Sequence, residues 1–130
     1  MNVIIGTTFE VNTKVNEQML ATQLKSGDVP VLATPIMVAL MEQASSNCLA
    51  QFLEEGFTSV GTSIQTTHLC ATPLNMQVKA VSEIIEVNNR EIKFKVKAYD
   101  EKELIGEGVH IRFILNKEKF ITKANEKLNK

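Results

Sequence analysis

TPIMVALMEQASSNCLAQFLEE, residues Thr34 to Glu55, is the one long stretch of this chain with a helical pattern. Thr34 is placed to cap the first turn, because a hydroxyl accepts from otherwise unpaired backbone N–H groups. Pro35 follows at the first helical position, where its missing N–H costs nothing. Apolar side chains recur at Ile36, Met37, Leu40, Met41, Ala44, Cys48, Leu49, Phe52 and Leu53. They cover most of the circumference, so the expected helix is buried on nearly all sides. Gly56 closes it. Glu42 breaks the pattern: a carboxylate among Leu40, Met41 and Ala44 must be paired, hydrogen-bonded, protonated or turned into a wet cleft. Eight residues separate it from Thr34. Eight helical steps return to within roughly 80° of the start, about 12 Å along the axis, so both groups can address one cleft. The plainer alternative is a capping threonine plus a carboxylate that reaches solvent or a neighbouring strand.

Outward from this helix the chain reads as strands. Residues 2–12 (NVIIGTTFEVN) are β-branched and threonine-rich, a first strand. Residues 13–27 are polar, with Val15, Met19 and Leu20 able to form a short helical turn. Pro30 makes residues 28–33 an extended approach to the helix. Beyond Gly56, residues 57–71 read as a strand that Gly61 interrupts, with a bulge or the close approach of another backbone or a ligand as the reason. Residues 75–87 form the next strand, Asn88-Asn89 a tight turn. Residues 91–99 (EIKFKVKAY) alternate cleanly, Ile92, Phe94, Val96 and Ala98 against Glu91 and three lysines, a half-buried antiparallel strand. Residues 104–115 form the last strand, bent or bulged at Gly106 and Gly108. The charged tail, about 117–130, is expected to fray. A strand, a helix and then four strands joined by short turns give an α+β fold, an antiparallel sheet of about five strands curled around one long helix. A sheet from so short a chain covers the helix only in part, and a partner subunit is a natural way to finish the job.

Composition bounds the function. At 130 residues the chain is expected to be a single domain, residues 1–130. A formal net charge of −1 offers no electrostatic case for nucleic acid or an anionic membrane surface. No window is apolar enough for a transmembrane helix, and the N-terminus lacks the pattern of a secretory signal. Cys48 and Cys70 are too few and too scattered for a disulfide framework or a zinc site, so no metal or cofactor is expected, and a cytoplasmic setting is.

The segment Gly61-Thr-Ser-Ile-Gln-Thr-Thr-His68 is the second unusual stretch. His68 stands among small polar neighbours that suit a cleft wall, and histidine is the natural proton carrier near neutral pH. His110 sits in an otherwise plain strand and reads as a structural histidine. Arg112 divides evenly between an ordinary strand-face ion pair and a contact to phosphate.

Several short motifs, in order, resemble one family. They are A-T-x-x-M-V-x-L-M-E (Ala33 to Glu42), S-V-G-T (Ser59 to Thr62), T-H-x-x-A-T-P (Thr67 to Pro73) and A-Y-D-E-K-E-L-I-G-E-G-V-H-I-R (Ala98 to Arg112). Together they resemble the hotdog-fold thioesterases related to fluoroacetyl-CoA thioesterase, over residues of about 30 to 115. That resemblance implies a hotdog fold and hydrolysis of an acyl-CoA thioester. It implies a catalytic set of Thr34, Glu42 and His68, with Gly61 against the thioester. It also implies a homodimer joined through the strand after the helix, with active sites near the interface. The family's fluoroacetate-specific member has an aromatic-containing lid before the helix. The corresponding stretch here, Gly27-Asp-Val-Pro-Val31, has no aromatic residue, so fluoroacetyl-CoA is not carried over as the substrate. A short acyl chain is the expectation. Glu42 would serve as general base or as nucleophile; Thr34 would orient it, since no base is evident beside the hydroxyl; Arg112 would meet coenzyme A phosphates. The alternatives are a non-catalytic acyl-thioester binding protein on the same fold and a hotdog dehydratase or hydratase, which fits the Thr-Glu-His spacing less well.

Overall fold

The structure, a computed structural model, describes residues 1–129. The first strand, β1 (Thr8–Lys14), is followed by a 3-10 turn at Glu17–Met19 and a single helical turn, α1 (Ala21–Leu24). The long helix α2 (Thr34–Ala50) comes next, then β2 (Phe57–His68), β3 (Gln77–Asn88), β4 (Glu91–Asp100) and β5 (Leu104–Asn116). The strands form one antiparallel sheet in the order β1-β3-β4-β5-β2. The α+β architecture is the one read from the sequence, a five-stranded antiparallel sheet against one long helix.

The period-two patterns explain the sheet's inner face. Val78, Ala80, Ser82 and Ile84 of β3 alternate with outward residues, as do Ile92, Phe94, Val96 and Ala98 of β4, and all eight are buried. Against them α2 lays Met37, Met41, Ala44, Cys48 and Leu49, also buried. The fully buried area of these side chains is the main stabilising term of the fold, at about 1.5–3 kcal/mol for each large aliphatic or aromatic group.

Three expectations need correcting. First, α2 is not covered all round: Ala39, Gln43 and Asn47, four residues apart on the far side, are exposed within this chain. The sheet can curl around only one side of a helix about 10 Å across. Second, α2 stops at Ala50, short of Glu55, and Gly56 takes a left-handed φ of 85° only after further turns. Third, the tail does not fray after β5. Residues Lys117–Asn125 form a helix, α3, whose start is capped by the Asn116 side chain accepting from Lys119 N–H at 3.0 Å. A 3-10 turn, Glu126–Asn129, follows.

The edges of the sheet are unequal. β2 is an edge strand, twelve residues long, and Gly61, Thr62, Ser63, Gln65 and Thr67 along it are exposed. Its register with β5 shifts between Gly61 and Ser63, so Thr62 bulges out. The bulge changes which residues face α2: Ser59 and Gly61 before it, Ile64, Thr66 and His68 after it.

Candidate active site

The N-terminus of α2 is built to present Thr34. The N-cap position falls on Ala33, whose side chain cannot cap, and Thr34 is the first helical residue. Its hydroxyl is therefore not the cap expected from the sequence. It is hydrogen-bonded to His68 Nδ1 at 2.7 Å. His68 reaches it because it ends β2, on the face turned toward α2. The two residues border an open cleft of about 290 Å³, which Ser26 and Val31 of the loop before α2 and Cys70 after β2 also line. Burial lowers the His68 pKa from its ordinary value, opposed by the Cys70 backbone, so the ring is biased toward its neutral form. The sequence showed no base beside Thr34; the fold supplies one.

Two turns further along α2, Glu42 is half-buried and faces β2 at Gly61. A side chain at position 61 would collide with this arrangement. A Cβ there would stand 3.0 Å from His110 Cε1, 3.3 Å from Glu42 Oε2 and 3.4 Å from Arg112 Nη1. Gly61 thus leaves a notch walled by a carboxylate, an imidazole and a guanidinium. The bulge anticipated at this glycine is present beside it, and what approaches closely is three side chains, not a backbone.

Arg112 and His110 lie two residues apart on the inner face of β5 and are both buried. Arg112 donates from Nε to Ser59 Oγ at 2.8 Å and from Nη2 to the Ser59 carbonyl at 3.0 Å. The ordinary strand-face ion pair is not what forms: among the described residues Arg112 makes no salt bridge, and its guanidinium is turned inward. Burial lowers its pKa, and the nearby Glu42 opposes that shift. Burial also lowers the His110 pKa, with the Ser63 carbonyl raising it, Arg112 lowering it and Glu42 raising it. His110, with Ser59 behind Arg112, is the part of the site missed in the sequence. The signal was two polar residues at a spacing of two in a strand whose inner positions are otherwise apolar.

Of the residues singled out from sequence, then, the structure joins Thr34 to His68 and gathers Glu42, Gly61 and Arg112. Among the described residues no hydrogen bond or ion pair links Glu42 to Thr34 or His68. Nor does any group of three or more His, Cys, Asp or Glu side chains converge as metal ligands there. Among the same residues no helix is long and apolar enough to cross a membrane.

A family model for fluoroacetyl-CoA-specific thioesterases matches residues 15–118. The chain belongs to the fluoroacetyl-CoA-specific thioesterase family. The matched span runs from Val15 through all five of the residues above. The chain is also 40% identical, over 97 residues, to the fluoroacetyl-CoA thioesterase of Streptantibioticus cattleyicolor, an alignment covering 75% of this chain and 70% of that one. A crystallised fluoroacetyl-CoA thioesterase, FlK, superposes with a TM-score of 0.92 at 32% identity, covering 98% of each chain. A thioesterase superfamily member from Thermus thermophilus superposes with a TM-score of 0.89 at 29% identity, covering 98% of this chain and 97% of that one. Family membership makes the protein a thioester hydrolase on the hotdog fold, as its motifs imply.

Proposed function

We propose that the protein hydrolyses a short-chain acyl-CoA, with Glu42, Thr34 and His68 as its catalytic set and Gly61 and Arg112 bounding the acyl end. The observation that carries this reading is the Gly61 notch, where Glu42 Oε2 lies 3.3 Å from the place a Cβ would fill. A thioester carbonyl seated there has a carboxylate beside it and a buried cation close by. Glu42 takes a proton from water, the resulting hydroxide adds to the carbonyl, and the tetrahedral oxyanion collapses with loss of the coenzyme A thiolate, which is then protonated. The notch is narrow, with three side chains within 3.4 Å of its centre, and this favours a small acyl group. A related structure holds fluoroacetate and CoA together. Here residues 27–31 carry no aromatic side chain and Val31 lines the cleft, so fluoroacetyl-CoA is one member of the panel to be tested.

The 2.7 Å contact favours a second reading, in which the Thr34 hydroxyl is the nucleophile. With its proton on Nε2, His68 accepts the threonine proton at Nδ1 as the hydroxyl attacks the carbonyl and expels the thiolate; water then cleaves the acyl-threonine. Thr34→Ala separates the two: it abolishes turnover if Thr34 is acylated and leaves a measurable rate if it only orients.

The site is completed by a second copy of the chain. A long edge strand with a free hydrogen-bonding side is a liability unless it is paired. Antiparallel pairing of β2 with its own copy runs the His68 end of one strand toward the Gly61 end of the other. The Thr34–His68 pair of each chain then faces the Glu42 of the other. No nucleic acid, membrane or cofactor has a part in this reading, and it suits a cytoplasmic enzyme. The test is thiol release from acyl-CoAs, acetyl to palmitoyl with fluoroacetyl included, by wild-type and Glu42→Gln proteins. Turnover that disappears in the variant supports the reading. Binding without turnover points to a binding protein, and turnover that survives Glu42→Gln overturns the role of Glu42.

A further inference from the structure

His110 makes two hydrogen bonds whose directions can be assigned. Arg112 Nη1 lies 3.2 Å from His110 Nε2, and a guanidinium has no acceptor, so Nε2 must be the unprotonated nitrogen. The ring proton is therefore on Nδ1, which donates to the Ser63 carbonyl at 2.8 Å. Ser63 is the first paired residue beyond the β2 bulge, so the bulge places the group that selects the tautomer. At 1% exposure the ring has no access to water that could substitute for either partner.

Arg112 is consequently held at three of its nitrogens, and they are not equivalent. Nε and Nη2 are taken by Ser59, behind the site. Nη1 is the nitrogen beside the Gly61 notch, 3.4 Å from the position a Cβ would fill, and His110 alone among the described residues fixes it. Glu42 Oε2 lies 3.3 Å from the same point. The guanidinium is a rigid plane anchored behind the site at Nε and Nη2, and the lone pair of His110 is its one hydrogen-bond contact at Nη1, the nitrogen beside the notch.

We infer that His110 is a positioning residue for hydrolysis: its Nε2 lone pair fixes Arg112 Nη1 at the Gly61 notch and so sets the guanidinium against Glu42 and the acyl group. The inference rests on the proposed role of Glu42. It gives the His110 ring, whose Cε1 walls the notch, no proton transfer to or from the substrate. A structural histidine bracing the bulge would need only its Nδ1–H; a positioning histidine needs Nε2.

Glutamine and asparagine separate these demands. The Gln amide oxygen reaches the place of Nε2 and can accept from Arg112, whereas the Asn amide nitrogen falls near Nδ1 and can donate to Ser63. The experiment compares kcat and KM of full-length His110→Gln, His110→Asn and His110→Leu on the best acyl-CoA. Arg112→Gln and the His110→Leu/Arg112→Gln double variant are included. Misplacement of a group by about 1 Å costs about 10²-fold. His110→Leu and His110→Asn should lose about that factor in kcat with KM within about threefold, and His110→Gln should recover to within about tenfold of wild type. The double variant should be no worse than Arg112→Gln alone, because His110 acts through Arg112. The inference is overturned if folded His110→Leu keeps wild-type kcat, if Asn rescues as well as Gln or better, or if the two losses multiply in the double variant. Should the Leu variant fail to fold, the Gln and Asn pair, which differ by one methylene, still decides. Glu42→Gln is measured in parallel. If it keeps turnover, the role of Glu42 is what fails, and the Gln-against-Asn contrast still reports on His110.

Discussion

Mixing two inactive variants tests whether the catalytic set is assembled across subunits. Thr34 and Glu42 are eight residues apart on α2, about 12 Å along its axis. His68 and Gly61 are seven apart on β2, roughly 20 Å of strand. Reacting groups must approach a carbonyl to about 3–3.5 Å, and among the described residues no hydrogen bond or ion pair joins Glu42 to the Thr34–His68 pair of its own chain, so the proposed dimer brings the pair to the Glu42 of the other chain. In a two-fold dimer every contact occurs twice, each site taking its His68 from one chain and its Glu42 from the other. A heterodimer of Glu42→Gln with His68→Ala then contains one doubly damaged site and one intact site. Random reassortment makes about half of the dimers heterodimers, with half of their sites intact, so activity should return to about a quarter of wild type. The assay is thiol release after the two purified variants, each inactive alone, have been unfolded together and refolded, with heterodimer content measured by native mass spectrometry. If heterodimers form and no activity returns, Glu42 and His68 serve the same site within one chain and the proposed pairing is wrong.

Other outcomes follow from particular contacts. Gly61→Ala should lower kcat/KM by about tenfold or more and also lower Tm, because the new methyl presses on the buried His110 ring at 3.0 Å as well as on Glu42 and Arg112. Gly108→Ala should instead destabilise by about 3 kcal/mol, a fall in Tm of about 10 °C, since its Cβ would run into the Gln65 carbonyl and the Thr66 backbone. Thr72→Val should cost about 1.5–3 kcal/mol in chemical unfolding, because the buried Thr72 hydroxyl donates to Asp100 Oδ2 at 2.9 Å. His68 and His110 are both held below their ordinary pKa, so the unfolded chain binds protons that the native chain does not. Stability should therefore fall as pH drops through and below about 6.5, levelling once the native histidines also protonate. For His110, which faces Glu42 and Arg112, a His110→Gln protein should show a smaller loss of Tm between pH 7.5 and 5.5 than wild type; an unchanged loss would assign that dependence to other groups.

The fold was legible where one residue's burial decides its neighbour's. β4 alternates without a fault and lies where its pattern puts it, and the Asn88-Asn89 signal marks the β3–β4 turn, with Asn89 at a left-handed φ of 58°. In the tail, charge predicts fraying, and local capping and apolar residues override it. Asn116 can cap, and Phe120 and Ile121 place apolar groups on the helix that follows. Thr34 was misread for a related reason. A threonine before a proline is the usual mark of a helix start, but only the tertiary position of His68, thirty-four residues on, determines that its hydroxyl bonds to imidazole and not to backbone.

The apparent excess of apolar and small residues around α2 carries information of another kind. Within the chain the large apolar residues of α2 are buried or half-buried, and the face left open carries Ala39, Gln43 and Asn47. Over the same length β2 exposes glycine, threonine, serine and glutamine along a free edge, with no lysine or proline to discourage pairing. The free edge is the costly feature for a monomer. The proposed pairing of β2 with its copy satisfies that edge. In the proposed dimer one set of residues serves both the interface and the catalytic cleft. That is why Gly61 and the threonines of β2 look anomalous as a strand yet fit a strand whose outer edge is shared.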